Sequence, residues 1–277
     1  MRTLPILMYH SVAGGVDERY KTWCVTPARF SQHMCALADN GYTVLGVSAA
    51  LNKLDAGVSL PENAVVLTFD DGLRDFLDEA FPVLDRHGFQ ATLYVVAGLI
   101  GSRSKWLRPL GEGEREMLRA EEIRHLHECG IEIGAHSLSH PELDILDIAS
   151  CEREIRGSRH LLEEITGSQV KAFAYPHGYA SATTRRLTRE AGFTSAVRVR
   201  HALSHTSENR FGLSRLIITQ DYDQTGLIAL LNSKTIPTAP PQDRLAGTCW
   251  RLVRRIRNRL MPPLVSDGPY QPARGPI

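Results

Sequence analysis

Asp70 and Asp71 stand side by side at the end of the apolar run Val65-Val-Leu-Thr-Phe69 and are followed at once by Gly72. Adjacent carboxylates do little for packing, and along a regular strand they would point to opposite faces. Where a strand breaks into a loop, both can approach one cavity, so that one holds a metal while the other handles a proton. A second apolar run, Ile131-Glu-Ile-Gly-Ala135, leads into His136-Ser-Leu-Ser-His140. Two histidines four apart on a helical turn lie about 40° apart on one face, so both imidazoles can reach a single cation. With one carboxylate they form a His, His, Asp set that leaves coordination positions for water and substrate. Either feature alone is commonplace, since Asp-Asp-Gly is most often a turn. Their joint placement at two strand ends points to a metal site. A third stretch, Phe173-Ala-Tyr-Pro-His-Gly178, offers a tight turn whose backbone N–H groups can receive a developing oxyanion.

Residues so far apart in sequence need a scaffold that aims several strand ends at one point. Short apolar runs at 6–9, 42–44, 65–69, 92–96, 131–135, 172–175, 195–199 and 213–218 read as strands. Helical periodicity between them predicts helices over 27–40, 73–87, 120–129, 148–165 and 182–191. Thr26 and Pro27 supply an N-cap and a first helical position, Gly41 and Gly88 supply stops, and Pro82 predicts a break inside 73–87. Alternation with short connections predicts an α/β fold over residues 1–236, a closed or nearly closed, TIM-like (β/α)7–8 barrel with its chemistry at the strand C-termini.

The 277 residues are 43% apolar and 23% charged, which excludes fibrous and disordered classes. A net charge of +1 leaves no electrostatic footprint of a nucleic-acid binder, so no nucleic-acid partner is expected. Five scattered cysteines without a C-x-x-C pair predict reduced thiols. With no signal-peptide pattern and no run of 18 apolar residues, a cytoplasmic location is expected. Residues 237–277 differ in kind, holding eight of the 15 prolines and seven Arg against two Asp. In this basic tail Leu252, Val253, Ile256 and Leu260 recur at helical spacing with Arg opposite. An amphipathic helix over 245–260 is expected there, either packed on the barrel or in peripheral contact with a membrane surface or polyanion. Disorder is expected from Pro262 onward.

Thr68-Phe-Asp-Asp-Gly72, His136-Ser-x-x-His140 and Tyr175-Pro-His-Gly178, in this order and spacing, resemble the first three motifs of the polysaccharide deacetylases, the NodB-homology or carbohydrate esterase family 4 group. The likeness runs outward through Ile6-Leu-Met-Tyr-His10, Ala80-Phe-Pro-Val-Leu84 and Ala91-Thr-Leu-Tyr-Val95. The Met-Tyr-His context is similar to that of the biofilm poly-N-acetylglucosamine deacetylases, whose barrel is circularly permuted. The resemblance implies a distorted (β/α) barrel of seven or so strands and a divalent metal, usually zinc; because His, His, carboxylate sites accept several divalent ions, cobalt, nickel and manganese are alternatives. It implies hydrolysis of N-acetyl groups on amino sugars of a polysaccharide or glycolipid, as in exopolysaccharide biosynthesis. By position it makes Asp71, His136 and His140 the metal ligands and Asp70 the general base. His177 takes the place whose backbone amide helps bind the oxyanion, beside Tyr175, Pro176 and Gly178 as substrate-binding residues.

Three departures from the family pattern matter. Many members carry Arg where this chain has Ala174, so another cation must orient Asp70, and Arg215 is the candidate. The Asp-x-x-Asp-Trp fourth motif is absent. The general acid has two candidates: His10, which ends the first strand, and His205, in a Leu-Ser-His stretch that reads as a loop. His10 is preferred. Two other readings share the barrel, a small-molecule amide or cyclic-amide hydrolase and a catalytically silent carbohydrate-binding protein.

Overall fold

Seven parallel strands close into a ring in the computed structural model, which describes residues 3–233, 235–239 and Arg254. The ring consists of β1 (Ile6–Tyr9), β3 (Ala64–Phe69), β4 (Thr92–Val95), β5 (Glu132–Ala135), β6 (Ala172–Ala174), β7 (Ser195–His201) and β8 (Leu213–Ile217). β1 sits between β8 and β3, with Leu7 opposite both Leu216 and Leu67. The remaining strand, β2 (Thr43–Leu45), lies outside the ring proper. It pairs with the first half of β3, from Thr43–Ala64 to Leu45–Val66, whereas β4 pairs with the second half, Thr68–Thr92 and Phe69–Leu93. This wedge at the foot of the barrel distorts what would otherwise be an eight-stranded ring.

Strands buried on both faces read as near-continuous apolar runs, and every residue of β1 and β3 is buried. Period two then separates the faces. Leu7, Tyr9, Val65, Leu67, Phe69, Ile133, Ala135, Phe173 and Tyr175 pack outward against helix residues such as Phe30, Leu84, Leu126 and Leu162. Ile6, Val66, Tyr94, Ala172, Ala174, Val197 and Leu213 form a second cluster inside. Gly134 leaves room there for Tyr94, since a Cβ on it would lie 2.5 Å from that ring. The same alternation aims His10, Thr68, Asp70, His136 and Arg215 into the lumen and its mouth.

The helices are α1 (Pro27–Asp39), α2 (Val47–Asp55), α3 (Phe81–His87), α4 (Ala120–Glu128), α5 (Ile148–Thr166), α6 (Ala182–Glu190) and α7 (Gln224–Leu231). Thr26, Asp147, Ser181 and Asp223 cap α1, α5, α6 and α7 through side-chain bonds to backbone N–H groups. The break expected at Pro82 is instead a change of pitch: Phe76–Ala80 forms a π-helical turn, and Pro82 falls in the first turn of α3, where its missing N–H is harmless. The helices α2 and α7 were not anticipated from the sequence.

No helix of the described residues is long and apolar enough to cross a membrane. Cys24, Cys35, Cys129 and Cys151 are free thiols. The start of the tail still packs on the barrel, because Leu203 N–H donates to the Pro237 carbonyl and Ala239 N–H to the Leu203 carbonyl. The helix expected over 245–260 lies outside the described residues, apart from Arg254.

Candidate active site

Asp70 leaves β3 on the inward face. Asp71 would turn outward by alternation, but its φ of 78°, followed by 78° at Gly72, reverses the chain and brings its carboxylate back over the mouth. This turn is pressed against β4: a Cβ on Gly72 would lie 3.2 Å from Val95 Cα, and Val96 N–H donates to the Asp71 carbonyl. A left-handed backbone at an aspartate is strained, and the packing around it holds it there.

His136 and His140 converge by a different route from the helical turn that their spacing suggested. Ser137 and His140 have φ of 64° and 62°, so the segment is a loop. Its shape is imposed by Glu154 of α5, whose carboxylate accepts from Leu138 N–H, Ser139 N–H and Ser139 Oγ at 2.9, 2.9 and 2.6 Å. Ser137 Oγ in turn accepts from His140 N–H at 3.0 Å. As a result Asp71 Oδ1 stands 3.7 Å from His136 Nε2 and 3.5 Å from His140 Nε2. One ligand atom from each of the three residues lies within 4.8 Å of the others.

The chemistry of this trio suits a divalent cation. His136 Nδ1–H donates to the Ala174 carbonyl at 2.7 Å, which fixes the tautomer and leaves the Nε2 lone pair directed at Asp71. Burial lowers the His136 pKa to about 4, against the opposing influence of Asp70 and the Ala174 carbonyl. Burial, with His177 and His136 nearby, keeps His140 well below the usual imidazole range. Both rings are therefore neutral at pH 7, the form a metal takes. Burial and the neighbouring carboxylates Asp70 and Asp75 push Asp71 well above the usual carboxylate range, so its anion lacks compensation from the protein. A cation between the three would supply it.

Asp70 has the opposite environment. Burial raises its pKa, but Arg215 and His136 outweigh that effect and hold it at about 2. Arg215 Nη1 and Nη2 donate to the two carboxylate oxygens at 2.6 Å each, while Nη1 also reaches Thr68 Oγ1 and Nε reaches the Arg198 carbonyl. Both partners are buried, Arg215 at 0% and Asp70 at 2% exposure. Replacing one member of such a pair strands the other charge, so Arg215→Met is expected to cost about 3–5 kcal/mol in denaturant unfolding. His10 lies across the carboxylate, its Nε2 4.0 Å from Asp70 Oδ2, and burial lowers its pKa to about 4 against the opposing influence of Asp70.

The third motif forms a tight turn over Pro176–Gly178, with His177 at φ 57°. Its exposed ring lies 4.7 Å from that of His140 between centroids. Gly178 is needed here, since its φ is 74° and a Cβ would lie 2.4 Å from Val199 N. Pro176 and Gly178 are buried within the turn. Tyr175 does not face the mouth: following Ala172 and Ala174 by period two it points outward, fully buried, and its hydroxyl donates to the Phe211 carbonyl. The side chain of Tyr175, a residue expected to bind substrate, is thus turned away from the mouth. His205 is also remote. It pairs with Thr3 at the foot of β1, seven residues and about 20 Å of strand from His10.

The profile of the polysaccharide deacetylase family matches residues 57–196, half of the chain and all of the first three motifs. The chain belongs to this family. YxkH of Bacillus subtilis (strain 168), named for the same family, is 27% identical over 230 residues, which cover 83% of this chain and 76% of YxkH. The poly-β-1,6-N-acetyl-D-glucosamine N-deacetylase of Staphylococcus epidermidis is 21% identical over 230 residues, covering 80% of this chain and 76% of its own. The Streptococcus pyogenes deacetylase PplD, solved in complex with acetate, shares the fold. It aligns with a TM-score of 0.72 and 23% identity over 82% of this chain and 97% of PplD.

In this member of the family two aromatic walls lie outside the three motifs. Trp23 packs on His10 with ring centroids 4.8 Å apart, and Trp106 packs on His140 at 5.2 Å. Both are half-buried and flank the mouth from short 3-10 turns, Lys21–Trp23 and Lys105–Leu110. Their apolar rings suit the faces of a sugar, but nothing in the local sequence distinguishes them from core tryptophans.

Proposed function

We propose that this chain is a metal-dependent N-deacetylase acting on amino sugars of a polysaccharide or glycolipid. The observation that carries the reading is the meeting of the Asp71, His136 and His140 donor atoms at the barrel mouth, beside an Asp70 held ionised by Arg215. Asp71, His136 and His140 would hold the ion, for which zinc suits the two nitrogens and one carboxylate, as would cobalt, nickel or manganese. Bound there, the ion would supply Lewis acidity, polarising the acyl carbonyl and making water a stronger acid.

Asp70 takes the proton of the attacking water. Each of its oxygens gives one lone pair to Arg215 and retains another. A carboxylate with a pKa near 2 is a weak base, so it operates on water already acidified. The His177 backbone N–H donates to the developing oxyanion, a contact of a type worth about 3 kcal/mol in the barrier. His10 protonates the leaving amine. Because its imidazole is neutral in the resting site, it takes on the proton that Asp70 removed from water, within the same turnover, once the 4.0 Å between them closes to hydrogen-bond distance or one water bridges it. The carbon–nitrogen bond breaks, releasing acetate and a free amino sugar.

Acetate release from N-acetylglucosamine oligomers, compared with release of acid from small linear and cyclic amides, tests this function. Turnover confined to the oligomers supports it, turnover confined to the small amides replaces it, and stoichiometric metal without turnover of either favours a silent carbohydrate-binding protein. The choice of acid has its own test. His10→Ala is expected to lower kcat by about 10²–10⁴, whereas His205→Ala leaves it unchanged.

A further inference from the structure

The geometry points to Arg254, from the C-terminal segment, as a positioning residue that clamps together the two loops carrying His140 and His177. The inference rests on the active-site reading above, since it concerns the same mouth. Arg254 is 2% exposed although it lies beyond the barrel's last described strand and helix. Its Nη1 and Nη2 donate to the two oxygens of Asp144 at 2.9 and 2.7 Å, and Nη1 lies 3.3 Å from Glu142 Oε2. Its guanidinium carbon sits 3.6 Å from the centre of the Tyr179 ring. A planar fork that meets a carboxylate with two bonds and stacks on an aromatic face is a task for arginine that lysine performs poorly.

The partners explain why the contact matters. Glu142 and Asp144 follow His140 by two and four residues, and Tyr179 follows His177 by two. Tyr179 stacks on His177 with centroids 6.2 Å apart, and His177 meets His140 at 4.7 Å. One guanidinium therefore joins the loop after β5 to the loop after β6. The His140 loop is already pinned on its upstream side by Glu154 at Leu138 and Ser139. Arg254 pins its downstream side, so the left-handed backbone at His140 is held from both ends. On this account the tail completes the site, and its arginine lies outside both the matched 57–196 region and the expected 1–236 barrel.

Hydrogen exchange by mass spectrometry on the full chain, with and without Arg254→Ala, reads the clamp directly. Exchange of peptides spanning 138–146 and 176–180 is expected to accelerate at least tenfold while α1 and α4 stay unchanged. Zinc titration of the same proteins is expected to show a dissociation constant weakened about tenfold, within the range for groups that support metal ligands. Arg254→Lys, which keeps the charge and loses the fork, should recover part of both. Exchange and zinc affinity within twofold of wild type in Arg254→Ala would overturn the clamp and leave a plain stabilising ion pair. Should that variant fail to fold, Asp144→Asn, which keeps the shape, decides by the same readings. Failure of the wild type to release acetate would remove the proposed function but leave the exchange comparison standing. Unchanged exchange beside normal deacetylation would remove the clamp alone.

Discussion

Asp70→Asn is expected to lower kcat for acetate release by about 10²–10⁴ while the protein keeps its full complement of metal. The side chain keeps its shape, but it loses the lone pair and charge that accept the water's proton. Its amide nitrogen would also face one Arg215 nitrogen, donor against donor, where an oxygen now sits 2.6 Å away. A drop in stability should therefore accompany the loss of turnover, because the buried Arg215 is left without its counter-ion. Asp71, His136 and His140 do not depend on Asp70 for their placement, so elemental analysis should show unchanged metal content. Wild-type rates in this variant would remove Asp70 from the role of base.

His136→Ala is the converse case, with the metal lost first. The substitution deletes one of three donor atoms and leaves the Ala174 carbonyl without the Nδ1–H it now receives. Changes to groups that merely support a ligand cost about 10–100-fold in affinity, so removal of the ligand itself should exceed about 100-fold. Competition against a chromogenic chelator measures this, and acetate release should fall in parallel. Unchanged affinity would mean that the ion, if any, is held elsewhere.

The period-two face of each barrel strand was legible from residue order alone, and it carries most of the site. His10, Asp70, His136 and Arg215 all leave their strands on the inward face. Period two also shows why Tyr175 points away: it continues the outward series of Phe173, a signal present in the sequence but overridden by the motif. The need for a cation beside Asp70 was readable from Ala174, and Arg215 meets it. What was not legible is non-local. The His136 and His140 spacing suggested a helical turn, whereas a carboxylate on α5, far along the chain, folds the segment into a loop with two left-handed residues. The strand β2 carries an ordinary strand signal, but only its pairing with half of β3 shows that it lies outside the ring. The start of α2 follows Gly46, which offers no side-chain cap, and α7 ends in the unbroken apolar run Leu227-Ile-Ala-Leu-Leu231, so periodicity alone does not separate it from a buried strand. Arg254 stands in a run of arginines whose spacing suggested a solvated or membrane-facing helix side, and only the fold reveals its burial against Asp144.

The most direct measurement is anomalous diffraction at the zinc edge from crystals of the zinc-loaded protein. The account predicts one strong peak at the barrel mouth within about 2.0–2.2 Å of an Asp71 carboxylate oxygen, His136 Nε2 and His140 Nε2. A map without a peak between these three residues, or a zinc bound at the mouth by other ligands, would contradict it.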